Sequence, residues 1–201
     1  MCLQLDDADK DTPAFEGGGG FEGFFSSGAE RLDTTSNGSM SEKVIDAGVR
    51  VGHVHLKVSE LERALGFYRD VLGFEVTQRM GDSAAFLSAG GYHHHIGLNT
   101  WDSAGGSAPA AGTTGLYHLA IVYPTRAKLG DALRRLIEAH IPLDGAADHG
   151  VSEALYLRDP DGNGVELYWD RPQKDWPRNA TGELAMYTRT LDLQRLLDAA
   201  D

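Results

Sequence analysis

EALYLRDPDGNGVELYWD, residues 153–170, consists of two apolar runs joined by an Asp-Pro-Asp-Gly-Asn-Gly turn. Alternating runs around such turn chemistry predict a β-hairpin. One carboxylate, Glu166, stands inside the second run between Val165 and Leu167. Desolvating an unpaired carboxylate is costly, so an acid at such a position calls for a cation or a strong donor beside it. The partner has to come from elsewhere in the chain.

The hairpin closes the second of two similar units. GLYHLAIVY (115–123) reads as a strand, and RAKLGDALRRLIEAHI (126–141) as a helix with Leu129, Leu133, Leu136, Ile137 and Ile141 on its apolar face. The first unit opens with VGHVHLKV (51–58), a strand. SELERALGFYRDVLGF follows as a helix with Leu61, Leu65, Tyr68, Val71 and Leu72 on one face, Ser59 as N-cap and Gly73 as its stop. Strands FEVTQRM, SAAFLSA and HHHIGLNTW complete it. HVHL matches HLAI, LERAL matches LGDAL, and HIGL matches GVEL. Each unit reads βαβββ at a period of about 65 residues, and neither closes a core alone.

Aligned on their first strands, His53 falls opposite His118, each the leading inward residue of its strand. Glu166 lies on the last strand of the second unit, and its counterpart is Gly97. Pairing the units predicts that His53, His118 and Glu166 converge, with a gap where a fourth ligand could stand. Two imidazoles, one carboxylate and open positions suit non-haem Fe(II), with Mn(II) close behind. The expected fold is α+β, with two paired βαβββ modules (about 49–102 and 115–171) forming a curved mixed sheet around one metal site.

Net charge is −12 and the pI about 5.0, which argues against nucleic acid or an anionic membrane as partner. The single Cys2 excludes an internal disulfide framework and a cysteine zinc site. No apolar run reaches the roughly 18 residues of a membrane span, and Asp6, Asp7 and Asp9 do not fit a signal peptide, so a cytoplasmic location is expected. Residues 1–45, with Gly17 to Gly20 and acidic charges, read as a disordered leader, and Met40 is a candidate start. Residues 46–172 form the predicted domain. The tail, 173–201, reads as an irregular wrap ending in a short helix.

From about Val49 to Trp169 the chain resembles the vicinal oxygen chelate superfamily, which includes glyoxalase I, bleomycin- and fosfomycin-resistance proteins and extradiol dioxygenases. Glyoxalase-type members carry a Glu where this chain has Gly97. The sequence is most similar to extradiol dioxygenases of the catechol 2,3-dioxygenase kind: His149, GVSEA, Leu155-Tyr156, LR, Asp159-Pro160, Asp161, Gly162 and Glu166 follow their signature, with a departure at Ala147. The resemblance implies an acid–base role for His94, three residues before Gly97. It implies that Tyr156 hydrogen-bonds a substrate hydroxyl and that His149 contacts substrate or bound oxygen. It also implies Fe(II) or Mn(II), a small aromatic diol and O2 as partners, and a homo-oligomer.

Structural readings compete at several positions. Asp159, Pro160, Asp161, Gly162 and Gly164 read as turn geometry. Trp101, Trp169 and Trp176 read as buried or pocket-wall residues, and Arg158 and Arg171 as solvated. His55 shares the face of His53. His93 and His95 read as hairpin positions. The alternatives to a dioxygenase are a glyoxalase-type metal isomerase or transferase, without O2 uptake, and a non-catalytic binding protein of the bleomycin-resistance kind.

Overall fold

The structure is a computed structural model, and it describes residues 44–200. The chain divides into Met1–Ala47 and Gly48–Asp201. The expected leader falls outside the described residues up to position 43, as does the candidate start at Met40.

In the larger unit the two modules form two sheets. The first has the order β1 (Val54–Lys57), β4 (Ile96–Asn99), β3 (Ala84–Ser88), β2 (Glu75–Met80). The second has the order β5 (Leu119–Val122), β8 (Gly164–Asp170), β7 (Ser152–Arg158), β6 (Leu143–Asp148), β9 (Arg189–Thr190). Their registers repeat. β1 runs parallel to β4 with Val54 opposite Ile96 and His55 opposite Gly97, and β5 runs parallel to β8 with Leu119 opposite Val165 and Ala120 opposite Glu166. Gly97 is therefore the positional equivalent of Glu166, as the internal repeat requires.

Side chains alternate across a strand, so each opening strand has two characters. Leu56 is buried in the core, and Leu119 and Ile121 pack against it. The other face carries His55 and Lys57 in the first module and Ala120 and Val122 in the second, all exposed. Helix α2 (Arg126–Glu138) covers the core side, with Leu129, Leu133 and Leu136 buried and Thr125 capping it by accepting from the Lys128 amide at 3.2 Å. Ile137 is 55% exposed, contrary to the sequence reading. It lies about 100° round the helix from Leu136, outside the buried stripe.

The first helix differs from expectation. Strands were expected to extend from 51 to 58 and from 93 to 101, yet β1 begins at Val54 and β4 at Ile96, leaving His53 and His94 in the preceding segments. Helix α1 (Leu61–Leu65) is capped by Glu60, not Ser59: the Glu60 carboxylate accepts from the amides of Glu62 and Arg63. Ser59 is engaged elsewhere, its amide donating to Asp161 Oδ1 at 3.0 Å and its hydroxyl accepting from Arg63. After Leu65 the backbone widens into a π turn over Gly66–Val71, with Leu72 N bonded to Phe67 O at 3.0 Å. That turn buries both Phe67 and Tyr68.

The Asp-Pro-Asp-Gly turn also ties the modules together. Asp159 Oδ1 accepts from the amides of Asp161 and Asn163, while Oδ2 accepts from the buried Tyr68 hydroxyl at 3.0 Å. A buried hydrogen bond to a charged acceptor contributes about 2 kcal/mol. In the tail, a 3-10 turn (Gln173–Asp175) leads to β9 and to helix α3 (Leu193–Leu197). Helix α3 packs on α2 at Gly130, where a Cβ would lie 2.6 Å from the Leu196 carbonyl oxygen. No described helix is long and apolar enough to cross a membrane.

Candidate functional site

The non-core face of the second sheet gathers four of the six candidate residues. Glu166 on β8 sits opposite Ala120 on β5 and Tyr156 on β7. The small Ala120 leaves the acid room. His118, just before β5, brings Nε2 to 2.9 Å from Glu166 Oε2. The Glu166 side chain is 13% exposed, so its charge is largely withdrawn from water. His118 Nδ1 is buried without a hydrogen-bond partner in the protein.

Tyr156 extends this set. Burial, then the charge of Glu166 and a hydrogen bond to it, push the phenol up to about 12, so the hydroxyl stays protonated. His149, at the β6–β7 turn, places Nε2 2.8 Å from the Tyr156 hydroxyl. An open hollow of about 390 Å³ adjoins His118 and Tyr156, bordered also by Tyr117, Asp144 and Arg158. Arg158 pairs with Asp144 at 2.7 Å on that border.

The first module gathers the other two. The His53 ring lies 4.5 Å from that of His94, and His94 Nδ1 is 2.7 Å from His93 Nδ1. Phe86 contacts both His94 and His55, and Trp101 meets His55 edge-on at 5.3 Å. His55 lies against Gly97: a Cβ there would be 2.7 Å from His55 Cδ2. The imidazole occupies the space that a side chain at the fourth-ligand position would need. Burial followed by the neighbouring imidazoles holds both His55 and His94 below the usual histidine range. His95 hydrogen-bonds Ser88 at 3.2 Å.

His118 and Glu166 therefore meet, as do His53 and His94. Among the described residues no group of three or more His, Cys, Asp or Glu side chains has metal-holding geometry. Cis ligands at about 2.1 Å from an ion are separated by about 3 Å, so the His118–Glu166 spacing suits ligation as well as a hydrogen bond.

Supporting interactions escaped the sequence reading. Arg171 is not a solvated cation: it binds Asp148 Oδ1 at 2.6 Å and Glu153 Oε1 at 2.8 Å, and Glu153 also binds Arg126. Arg171 holds the Asp148 carboxyl below its ordinary range by hydrogen bonding. Trp176 donates its indole N–H to the Arg171 carbonyl. The tail also reaches the site, with Thr188 Oγ1 3.2 Å from His149 Nδ1. The aperiodic tail gave no signal for that contact. His55 opposite a glycine was the one visible clue to the packing over Gly97.

The profile of the Glyoxalase/Bleomycin resistance protein/Dioxygenase superfamily matches residues 50–167. The chain is 45% identical over 156 residues to a catechol-2,3-dioxygenase of Bacillus subtilis, covering 78% of this chain and 54% of that protein. It is 36% identical over 123 residues to biphenyl-2,3-diol 1,2-dioxygenase 3 of Rhodococcus globerulus, covering 60% of this chain and 63% of that protein. The chain thus spans between half and two thirds of these relatives. A glyoxalase/dioxygenase structure from Nostoc punctiforme superposes with a TM-score of 0.54 at 19% identity, covering 66% of this chain and 99% of that one. A glyoxylase/bleomycin resistance protein/dioxygenase domain from Frankia sp. EAN1pec gives 0.52 at 25% identity, covering 61% and 98%. With a repeated βαβββ register, a two-sheet α+β fold and a family profile spanning more than half its length, the chain belongs to the glyoxalase/bleomycin resistance/dioxygenase superfamily.

Proposed function

We propose that the protein is an extradiol ring-cleaving dioxygenase, dependent on Fe(II) or Mn(II), that adds O2 to a catechol-like aromatic. The observation that carries this reading is one sheet face on which His118 pairs with Glu166, Tyr156 stands opposite Glu166 in register, and His149 contacts Tyr156. The relatives named for catechol and biphenyl-diol dioxygenation support it. His118 and Glu166 would supply two metal ligands and His53 the third. The donor set fits a divalent iron or manganese ion by type. When bound, the ion supplies Lewis acidity and a common centre for the diol and O2.

The remaining chemistry falls to side chains. His94, kept neutral by burial and its imidazole neighbours, is the group to accept a phenolic proton and return it during ring opening. Tyr156, still protonated at neutral pH, donates to a substrate oxygen, and His149 behind it holds the phenol in place. Both atoms of O2 enter the product, a ring-opened muconic semialdehyde, so no external reductant is required. The role we propose is cytoplasmic aromatic catabolism.

A homo-oligomer belongs to the same proposal. Val51, Leu116, Tyr117 and Val122 are exposed apolar side chains near the ends and outer faces of the two opening strands, surface that a second copy would cover. A non-catalytic binding protein is the second reading, and it draws on the pairing of only His118 and Glu166 among the three proposed ligands. Anaerobic loading with Fe(II), then catechol and oxygen, separates the two. The dioxygenase reading expects a yellow product with one O2 consumed per catechol. Tight catechol binding with no oxygen uptake after Fe(II) or Mn(II) loading would sink it.

A further inference from the structure

We infer that Asp144 is a specificity-determining residue: it engages Arg158 at the edge of the hollow beside Tyr156, so the site favours catechols with an uncharged ring substituent over those bearing a carboxylate. The inference rests on the catechol reading of the site and adds the class of substituent. Arg158 shares the face of Tyr156 two positions along β7, and it stands opposite Gly164 as Tyr156 stands opposite Glu166. Both border the hollow of about 390 Å³, and among the described residues Arg158 is the one Lys or Arg on that border. A free guanidinium there would select a carboxylate, whose two oxygens its fork matches. Instead Nε donates to Asp144 Oδ2 at 2.7 Å and Nη1 to the Gly162 carbonyl at 3.3 Å. A carboxylate on the substrate would have to settle beside the one already present, and like charges repel.

The backbone sets up this arrangement. β6 and β7 pair with Leu143 opposite Leu157 and Gly145 opposite Tyr156, so Asp144 is the extra residue of a bulge. A bulge re-aims a side chain, and here the carboxylate reaches Arg158 from the neighbouring strand. Gly145, next along, leaves the hollow open beside Tyr156. A Cβ there would meet no atom within 4 Å and its φ is not left-handed, so neither packing nor conformation calls for glycine. Stability does not account for the ion pair either: the Asp144 and Arg158 side chains are 50% and 53% exposed, and a pair so open to water contributes little. Tyr117 and Tyr156 supply ring surface on the same border, which an uncharged substituent can cover.

The test is anaerobic titration calorimetry of the Fe(II)-loaded full chain with two diols of equal shape, 3,4-dihydroxyphenylacetamide and 3,4-dihydroxyphenylacetate. The wild type should bind the amide about tenfold more tightly than the acid. Asp144→Asn should raise the affinity for the acid relative to the amide about tenfold, between the water and protein-surface limits for one charge at contact distance. Asp144→Ser should move the ratio the same way, so the result does not hang on one variant. Adding Arg158→Gln to Asp144→Asn should cancel the gain, because the unmasked guanidinium is then gone. Equal binding of both diols by the wild type, a ratio unmoved by either Asp144 variant, or a gain that survives Arg158→Gln overturns the proposal. Oxygen uptake is read separately with the amide. If the ratios shift as expected but no O2 is consumed, the charge selection stands and the dioxygenase reading fails; if neither diol binds, both fall.

Discussion

The two modules share a backbone and differ in what they display. At matched places the second offers His118, Ala120 and Glu166, and the first offers His53, His55 and Gly97. In the second, an acid with a small residue opposite pairs with His118, and His149 and Tyr156 contact each other on the same face. In the first, the missing side chain is replaced by a neighbouring imidazole, and contacts between rings take over. Duplication of a βαβββ unit thus conserves positions while leaving the chemistry of each free to diverge.

The largest test asks whether both faces serve one centre. Glu166→Gln and His118→Ala should each lower metal content and turnover by more than about a hundredfold, exceeding the usual loss from an outer partner. His53→Ala should match them in metal analysis and oxygen uptake. Full metal retention in His53→Ala would leave the first module out of the ligand set. Next, His94→Phe should reduce turnover by about two to four orders of magnitude with metal content intact.

Gly97→Ala probes the replacement directly. Its Cβ would collide with His55, so thermal melting should reveal a destabilisation of about 1–3 kcal/mol. Pairing it with His55→Ala should recover most of that loss, because the two changes share one space. In Glu166→Gln, ultraviolet titration should find the Tyr156 phenol below about 12 yet still above the ordinary 10, since the charge is gone and burial remains.

The smallest effect is on acid stability. His55 and His94 protonate less readily when folded than their ordinary 6.5, so the unfolded chain takes up protons first on acidification. Their contribution is complete above about pH 6.5 and declines as pH falls from there towards the lower folded values. Chemical denaturation between pH 7 and 5 should show this slope, and His55→Phe combined with His94→Phe should flatten it.

Much of the architecture was legible because it follows periodicity. The hairpin around Glu166, the α2 stripe and the equivalence of Gly97 with Glu166 are local patterns repeated in sequence. The Ser59 cap misled because a distant carboxylate, Asp161, takes its amide, and no local rule registers a partner 102 positions away. Arg171 read as solvated for the same reason, with Asp148 and Glu153 brought to it by strand pairing. At the site, the pairing of His118 with Glu166 follows from strand order, and Tyr156 faces Glu166 by register. Thr188 reaches His149 through a tail whose path no period encodes.

The Asp159–Tyr68 bond has a practical corollary. It anchors the bend from which Tyr156 and Glu166 depart in opposite directions, so loosening it would swing both together. A Tyr68→Phe protein should therefore lose catalytic output on gentle warming at temperatures where its circular dichroism still reports a folded chain.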